Sequence, residues 1–108
     1  MWTAKHRYAR ISPRKVRLVV DLIRGQRCQS ALEQLSFNRR RSARMIEAVL
    51  KSAMANADEH EADLRRLIVS EARVDGGPYF RRWQPKDRGR AHPIARRMSH
   101  IVVTVSER

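Results

Sequence analysis

The feature that most constrains this chain is the segment 75–99, which lies between two strand-like runs and whose apolar residues have no helix left to pack against. It opens with Gly76-Gly77-Pro78, and after that break it carries many arginines and a single acidic residue, Asp87. If its flanks continue the two strands, they form a hairpin with arms of about 12 residues, each reaching roughly 40 Å. The residues best suited to the turn lie around 85–89. Because an isolated two-stranded ribbon is marginal in water, the hairpin is either disordered in the free protein or held by something charged and extended. The apolar members of the segment have no helix left to pack against: Tyr79, Phe80, Trp83, Ile94 and Met98.

The rest of the sequence predicts three helices. Ser12-Pro13, followed by apolar residues at i, i+3, i+4 and i+7, predicts a helix over 13–24 that stops at Gly25. Capping-box spacing in Ser30-Ala31-Leu32-Glu33 predicts the start of a short second helix. A third helix is predicted to start at Asn38, with one apolar stripe over roughly five turns: Ala43, Ile46, Val49, Leu50, Ala53 and Ala57.

Strands are predicted over 4–11, 67–74 and 100–105, the last two because they are rich in β-branched residues. The predicted class is therefore α+β, with three helices packed on a small three-stranded antiparallel sheet and a long protruding hairpin. We expect one domain of 108 residues, with a globular body (1–74 and 100–108) and an extended hairpin (75–99).

The charge balance points to a polyanionic partner. Lys and Arg number 24 against 11 Asp and Glu, for a net charge of +13, and 20 of the 24 are Arg. Arginine suits bidentate contact with phosphate. One basic cluster surrounds the start of the first helix, at 10–17. Another, Arg39-Arg40-Arg41 with Arg44, opens the third helix, where cations oppose the macrodipole unless phosphates neutralise them. Four acidic residues cluster in 58–63, which we expect to face water.

The sequence offers no site for catalysis, metal or cofactor. His6, His60 and His92 have no metal-ligand spacing, and Ser99-His100 are neighbours in a strand, where successive side chains point to opposite faces. The single cysteine, Cys28, excludes an internal disulfide and fits a reducing compartment. There is no apolar run of about 20 residues and no signal-like stretch after Met1, so we expect a cytoplasmic protein that is not exported and does not span a membrane.

Two other binding functions fit the sequence less well. A helix-turn-helix protein would read DNA with its second helix, but Ala31–Leu35 carries no Arg, Lys or Asn. A cationic membrane-surface protein would concentrate its arginines on one long amphipathic helix. Here they are spread over strands, helix starts and the hairpin, which favours a protein embedded in folded RNA with aromatic rings available for stacking.

The chain resembles the large-subunit ribosomal protein family L-twenty-two over essentially its whole length and in order. The matching stretches are Ala4-Lys5-His6-Arg7-Tyr8-Ala9-Arg10, the run from Ser12 to Gly25, Ser52-Ala53-Met54-Ala55-Asn56-Ala57, Val74-Asp75-Gly76-Gly77-Pro78, Pro85-Lys86-Asp87-Arg88-Gly89-Arg90-Ala91 and Arg97-Met98-Ser99-His100-Ile101. Three positions depart from the family pattern: Trp83 is bulkier, Asp87 is acidic, and His92-Pro93 replaces an acidic residue and its neighbour.

The resemblance implies a non-enzymatic, ribosome-bound protein that binds large-subunit rRNA, aids subunit assembly and lines the peptide exit tunnel with its hairpin tip. The implied partners are rRNA, neighbouring ribosomal proteins including L-four at the tunnel constriction, and the transient nascent peptide, with no homo-oligomer. The rRNA-binding candidates are Lys5, Arg7, Arg10, Ser12, Arg14, Lys15, Arg17, Arg39, Arg40, Arg41, Arg81, Arg82, Lys86, Arg88, Arg90, Arg96, Arg97 and His100. The tunnel-tip candidates are Trp83, Gln84, Pro85, Lys86, Asp87, Arg88, Gly89 and Arg90.

Overall fold

A computed structural model describes the backbone of residues 1–86 and 90–107 and the side chains of residues 1–78 and 97–107. The predicted α+β class, the three helices and the three-stranded antiparallel sheet are confirmed. The elements are β1 (Trp2–Ala9), α1 (Pro13–Ile23), α2 (Cys28–Phe37), α3 (Arg41–Glu59), a short 3-10 helix (Leu64–Arg66), β2 (Leu67–Lys86) and β3 (Arg90–Glu107).

The sheet order is β1-β3-β2, so β3 is the central strand. β1 pairs with β3 from Trp2↔Val105 only as far as Ala9↔Ser99. β2 continues its pairing with β3 beyond that point, to Lys86↔Arg90. The two long strands therefore leave the three-stranded sheet as a hairpin, and the molecule reaches 63 Å along its longest axis. Part of the predicted turn, 87–89, lies outside the described residues.

The core lies between one face of the sheet and the helices. α1 packs on β2, α3 packs on β1 and β3, and α2 packs on α3. The predicted apolar positions of α1 and α3 are all buried, and alternate residues of β3, such as Ile101, Val103 and Val105, face them. Pro13 is the first residue of α1, as predicted. Gly25 has φ +81°, a conformation that glycine adopts without steric cost at a helix end.

The predicted start of α2 is wrong. α2 begins at Cys28, with Arg27 as its N-cap and no side-chain capping bond, so Ser30 lies inside the first turn. A tertiary contact sets the start of α2 instead, since the loop before it pairs with β2 through an Arg27↔Ile68 bridge. The helix starts as soon as that pairing ends, and the buried Cys28 enters the core.

Two other predicted boundaries also move. Asn38 does not start α3, since its backbone N–H closes α2 on Leu35 and its side chain accepts the N–H of Arg40. β1 ends at Ala9 rather than at residue 11, because a bulge with Tyr8 at φ +59° shifts its register.

Met98 is one of the apolar residues of 75–99, and its side chain lies within the described residues. This side chain is buried against the hairpin base, where a Cβ built on Gly77 would lie 3.3 Å from Met98 Cβ. The missing side chain of Gly77 lets the two strands and Met98 pack closely without a helix. The side chains of Tyr79, Phe80, Trp83 and Ile94 lie outside the described residues. No helix in the described part of the chain is long and apolar enough to cross a membrane.

Candidate nucleic-acid interface

The strand register gives the body two distinct ends. We call the end where β1 stops and the hairpin leaves, at Ala9, Ser99 and Gly76, the root end. The opposite end, where Trp2 and Leu67 lie, is the far end.

Both long helices begin toward the root end. The Ser99 hydroxyl donates to the Ile11 carbonyl at 2.6 Å, which fixes the start of α1 there, and Gly25 after α1 bonds Val69 near the far end. α3 runs along β1 and finishes at the far end, where the Asn56 amide donates to the Thr3 carbonyl. With 19 residues, α3 is about 28 Å long. The positive ends of both helix macrodipoles therefore point toward the root end.

Exposed cations without internal partners gather around these helix starts. None of their side chains forms an ion pair or hydrogen bond with another residue in the described part of the chain. Because arginine side chains carry five donors each, this end presents many unused donors and much unneutralised charge. The set comprises Arg10, Arg14 and Lys15 near α1, Arg39, Arg40 and Arg41 before or at the start of α3, Arg7 on β1, and Arg97 on β3. Lys5, which also lacks such a partner among the described residues, lies in the middle of β1 at its pair with Val102.

In the described part of the chain, the far end carries more acidic than basic residues, because its exposed carboxylates outnumber the three arginines there, Arg27, Arg65 and Arg66. Asp58, Glu59, Glu61 and Asp63 are all exposed, as predicted. Asp63 accepts the N–H of Arg65 and so caps the short 3-10 helix, while the others lie in or after the last turn of α3. An acidic far end repels phosphate, so a polyanion is drawn to the root end of the body.

Two arginines, one in α1 and one at its C-cap, donate hydrogen bonds to backbone carbonyls of the sheet. Arg17, a predicted rRNA contact, donates through Nη2 to the Val74 carbonyl at 3.0 Å. Arg24 donates through Nε and Nη2 to the Ala72 carbonyl at 3.1 and 2.7 Å, and its Nη1 pairs with Asp21 at 2.9 Å.

Arg44 does not need phosphates to explain its position at the start of α3, because it has hydrogen-bond and ion-pair partners within the chain. Its Nη2 donates to the Leu35, Ser36 and Asn38 carbonyls at 3.0, 3.1 and 2.7 Å, and its Nη1 pairs with Glu47. Carbonyls at a helix end lack intrahelical partners, so Arg44 completes the end of α2 from the first turn of α3. Sequence spacing did not indicate this role.

Arg73 is a fourth arginine with internal partners that the sequence did not distinguish from the others. It pairs with Glu71 at 2.6 Å and with Asp75 at 3.3 Å on the sheet face away from the helices. Asp75 and then Glu71 raise the pKa of Arg73. Residues two apart on a strand share a face, so this group could have been found from the sequence.

The two polar candidates beside the cations have different surroundings. Ser12 is the N-cap of α1, but its hydroxyl makes no capping bond. His100 accepts the Tyr8 N–H through Nδ1 at 3.1 Å, and its ring meets the Tyr8 ring edge-on at 4.9 Å. His100 thus joins β3 to the bulge of β1 at the root end. Its neighbour Ser99 points to the other face and is bonded to Ile11.

The described residues hold no group of His, Cys, Asp and Glu able to bind a metal ion. Cys28 is fully buried, and desolvation raises the pKa of its thiol from 9.0 to about 11. A protonated, inaccessible thiol is neither a nucleophile nor a metal ligand.

The remaining candidates lie in the hairpin, whose side chains are outside the described residues from 79 to 96. The rRNA-binding predictions in this position are Arg81, Arg82, Lys86, Arg88, Arg90 and Arg96, and the tunnel-tip predictions are the whole run 83–90.

A comparison with protein families agrees with the sequence resemblance. The family model described as Ribosomal protein L22p/L17e matches residues 4–106. The match includes both long helices, all three strands and the hairpin.

Proposed function

Because the chain belongs to the ribosomal protein L22p/L17e family, we propose that the root end of its body binds phosphates of the large-subunit rRNA and that its hairpin continues through the RNA to the wall of the peptide exit tunnel. As a member, the protein is a structural constituent of the large ribosomal subunit, binds rRNA and takes part in translation. Its partners are that rRNA and neighbouring ribosomal proteins, and the family is generally non-enzymatic.

One observation carries the phosphate-binding proposal. Most of the exposed cations that lack an internal partner in the described residues gather at the root end, where α1 and α3 also begin, whereas four exposed carboxylates lie at the far end. Helix N-termini and arginine both favour phosphate oxygens. Three consecutive arginines around the start of α3 oppose its macrodipole, so they are costly to folding until anions neutralise them.

The tunnel proposal rests on the hairpin. Its strands remain paired from Gly76↔Ser99 to Lys86↔Arg90, beyond the reach of β1. A two-stranded ribbon alone is only marginally stable in water, and folded RNA supplies a surface for it to pack against. In this proposal the tip, 83–90, forms part of the tunnel wall beside protein L-four and touches the nascent peptide in transit. The protein works in the cytoplasm and aids assembly by holding several rRNA segments together.

The experiment compares two triple variants with the same change in charge. One converts Arg39, Arg40 and Arg41 to Gln at the root end. The control converts Arg27, Lys51 and Arg65 to Gln; these are exposed cations away from the root end, and Lys51 only pairs with Glu47 at the surface. Each tagged protein is expressed in cells, and the fraction retained in large subunits after a high-salt wash is measured.

We expect the root-end variant to be retained several-fold less than wild type, and the control to be retained as wild type is. Equal loss in the two variants would contradict a localised phosphate site, because it would show that only total charge matters. Circular dichroism of both purified proteins serves as the folding control, and we expect the helix content of each to equal that of the wild type.

A further inference from the structure

The outer edge of β2 is covered by α1 and the loop that follows it. Val69 exchanges two backbone bonds with this loop, donating to the Gln26 carbonyl at 2.8 Å and accepting from the Gly25 N–H at 2.9 Å. Farther along the strand, the Ala72 carbonyl accepts from Arg24 and the Val74 carbonyl accepts from Arg17. An edge strand otherwise presents such groups to solvent or to another chain. The edge of β2 is thus tied to α1 up to the base of the hairpin.

Arg17 and Arg24 hydrogen-bond to the edge of β2 at two separate points. They lie seven residues apart on α1, so they project from nearly the same side of the helix. Their acceptors lie two residues apart on β2. A single contact sets only the distance between a helix and a strand, whereas two contacts also set the angle between them.

This angle matters because Val74 is the last tied residue before the hairpin leaves. Beyond Ala9↔Ser99, β1 no longer supports β3, so the direction of the hairpin depends on how β2 and β3 leave the body. The 12 paired or bulged positions of β2 from 75 to 86 span about 40 Å at roughly 3.3 Å per residue. Over that length, an angular error of about 10° at the base displaces the tip by roughly 7 Å.

We propose that Arg17 and Arg24 are positioning residues that aim the hairpin, and that neither is a phosphate ligand. Arg24 has all three guanidinium nitrogens engaged within the chain, and Arg17 has one on the strand edge. Arg14 and Lys15 on the same helix have no such partner in the described residues. α1 therefore has two roles. Its first turn binds RNA, and the side that faces β2 sets the direction in which the hairpin leaves the body. The inference rests on the proposed function, because a direction matters only to a hairpin that must reach a fixed place.

The test uses the full-length chain with four substitutions: Arg17→Gln, Arg24→Gln, Arg24→Lys and, as the matched control on the same helix, Arg14→Gln. The probe is a transcript of the large-subunit rRNA. Chemical protection of the RNA reports where the protein lies, and the protections due to the hairpin are those lost when Trp83–Arg88 is deleted. Affinity is measured over a series of salt concentrations.

We expect Arg17→Gln and Arg24→Gln to weaken the hairpin protections several-fold, to keep the body protections and to leave the salt slope of binding unchanged. Arg14→Gln should keep the hairpin protections and flatten the slope by about 0.7–0.9, the effect of one lost phosphate contact. Arg24→Lys keeps the charge, but one ammonium cannot replace three engaged nitrogens, so it should behave like Arg24→Gln.

Three results would overturn the proposal. One is a slope change in Arg17→Gln equal to that in Arg14→Gln. The second is unchanged hairpin protection in both glutamine variants. If those variants fail to fold, unchanged hairpin protection in Arg24→Lys is the third.

A wild-type protein that protects no rRNA would instead overturn the proposed function. The tie can then be tested alone by amide hydrogen exchange in the free protein, where residues 72–76 should exchange faster in Arg24→Gln than in wild type. Unchanged exchange there would overturn the tie itself.

Discussion

Cys28 sits fully buried at the first position of α2, where desolvation raises the pKa of its thiol from 9.0 to about 11. Below pH 9 the thiol is protonated in both the folded and the unfolded chain. Between pH 9 and 11 the unfolded chain loses the proton first, so the free energy of unfolding falls as pH rises through this window. At about 1.4 kcal/mol per pKa unit, the loss amounts to at most roughly 2–3 kcal/mol.

The measurement is urea unfolding at several pH values between 8 and 11, with Cys28→Ala as the control. The control shares every other ionisable group with the wild type, so the difference between the two proteins isolates the thiol. We therefore expect the stability of wild type to fall more steeply than that of Cys28→Ala. Parallel curves would show that the thiol is not desolvated in the folded state.

The arginines show how far individual residues could be interpreted from the sequence. Composition and clustering correctly indicated an RNA-binding chain, and the cations at 10, 14, 15 and 39–41 are exposed without internal partners in the described structure. Arg17, Arg24 and Arg44 look the same in the sequence but donate to backbone carbonyls. Which carbonyls need a donor depends on the strand edge and the helix end that face each arginine, and these are set by tertiary packing.

The sequence predicts a helix or strand correctly where a local residue pattern determines it. α1 and α3 follow from apolar spacing because each buries one stripe against the sheet. The start of α2 was not predictable, since the Arg27↔Ile68 bridge between distant residues determines it. The Tyr8 bulge in β1 has the same origin, because its N–H bonds to His100, 92 residues away.

The base of the hairpin contains two adjacent glycines whose surroundings differ. A Cβ on Gly77 would lie 3.2 Å from His100 Nε2 and 3.3 Å from the Met98 carbonyl carbon, whereas a Cβ on Gly76 would meet nothing within 4 Å. We expect Gly77→Ala to lower the free energy of unfolding by about 1–2 kcal/mol, because a backbone atom must move to accommodate it. Gly76→Ala should be neutral or slightly stabilising.

Urea unfolding of the two glycine variants provides the comparison. Because the substitutions are identical and one residue apart, their difference isolates the close approach of the two strands. Equal midpoints would mean that the strands do not pack at Gly77 as described.

At the scale of the whole molecule, the proposed function assigns rRNA anchoring to the cationic body and tunnel lining to the tip of the hairpin. Of the 24 basic residues, only Arg82, Lys86, Arg88 and Arg90 lie in or beside the tip. In the proposed arrangement, deleting Trp83–Arg88 removes two of them, Lys86 and Arg88, and no helix. Subunit incorporation should therefore stay near wild type, while the cross-section of the exit tunnel changes.

The measurement expresses this deletion as the sole copy and records subunit profiles together with macrolide sensitivity. We expect normal large subunits and an altered drug response. Loss of large subunits would contradict the division between body and tip, and an unchanged drug response would contradict the tunnel placement of the tip.

The most direct test of phosphate binding at the root end is the salt dependence of affinity for a large-subunit rRNA fragment. Two double variants remove the same charges, one Arg and one Lys each. Arg14→Gln with Lys15→Gln acts at the root end, and Arg65→Gln with Lys51→Gln acts elsewhere on the body. Each phosphate contact contributes about 0.7–0.9 to the slope of log affinity against log salt concentration. The root-end pair should flatten the slope by about 1.4–1.8 units, and the other pair should leave it at the wild-type value. Equal slopes for the two double variants would show that the root end is not where this protein binds RNA.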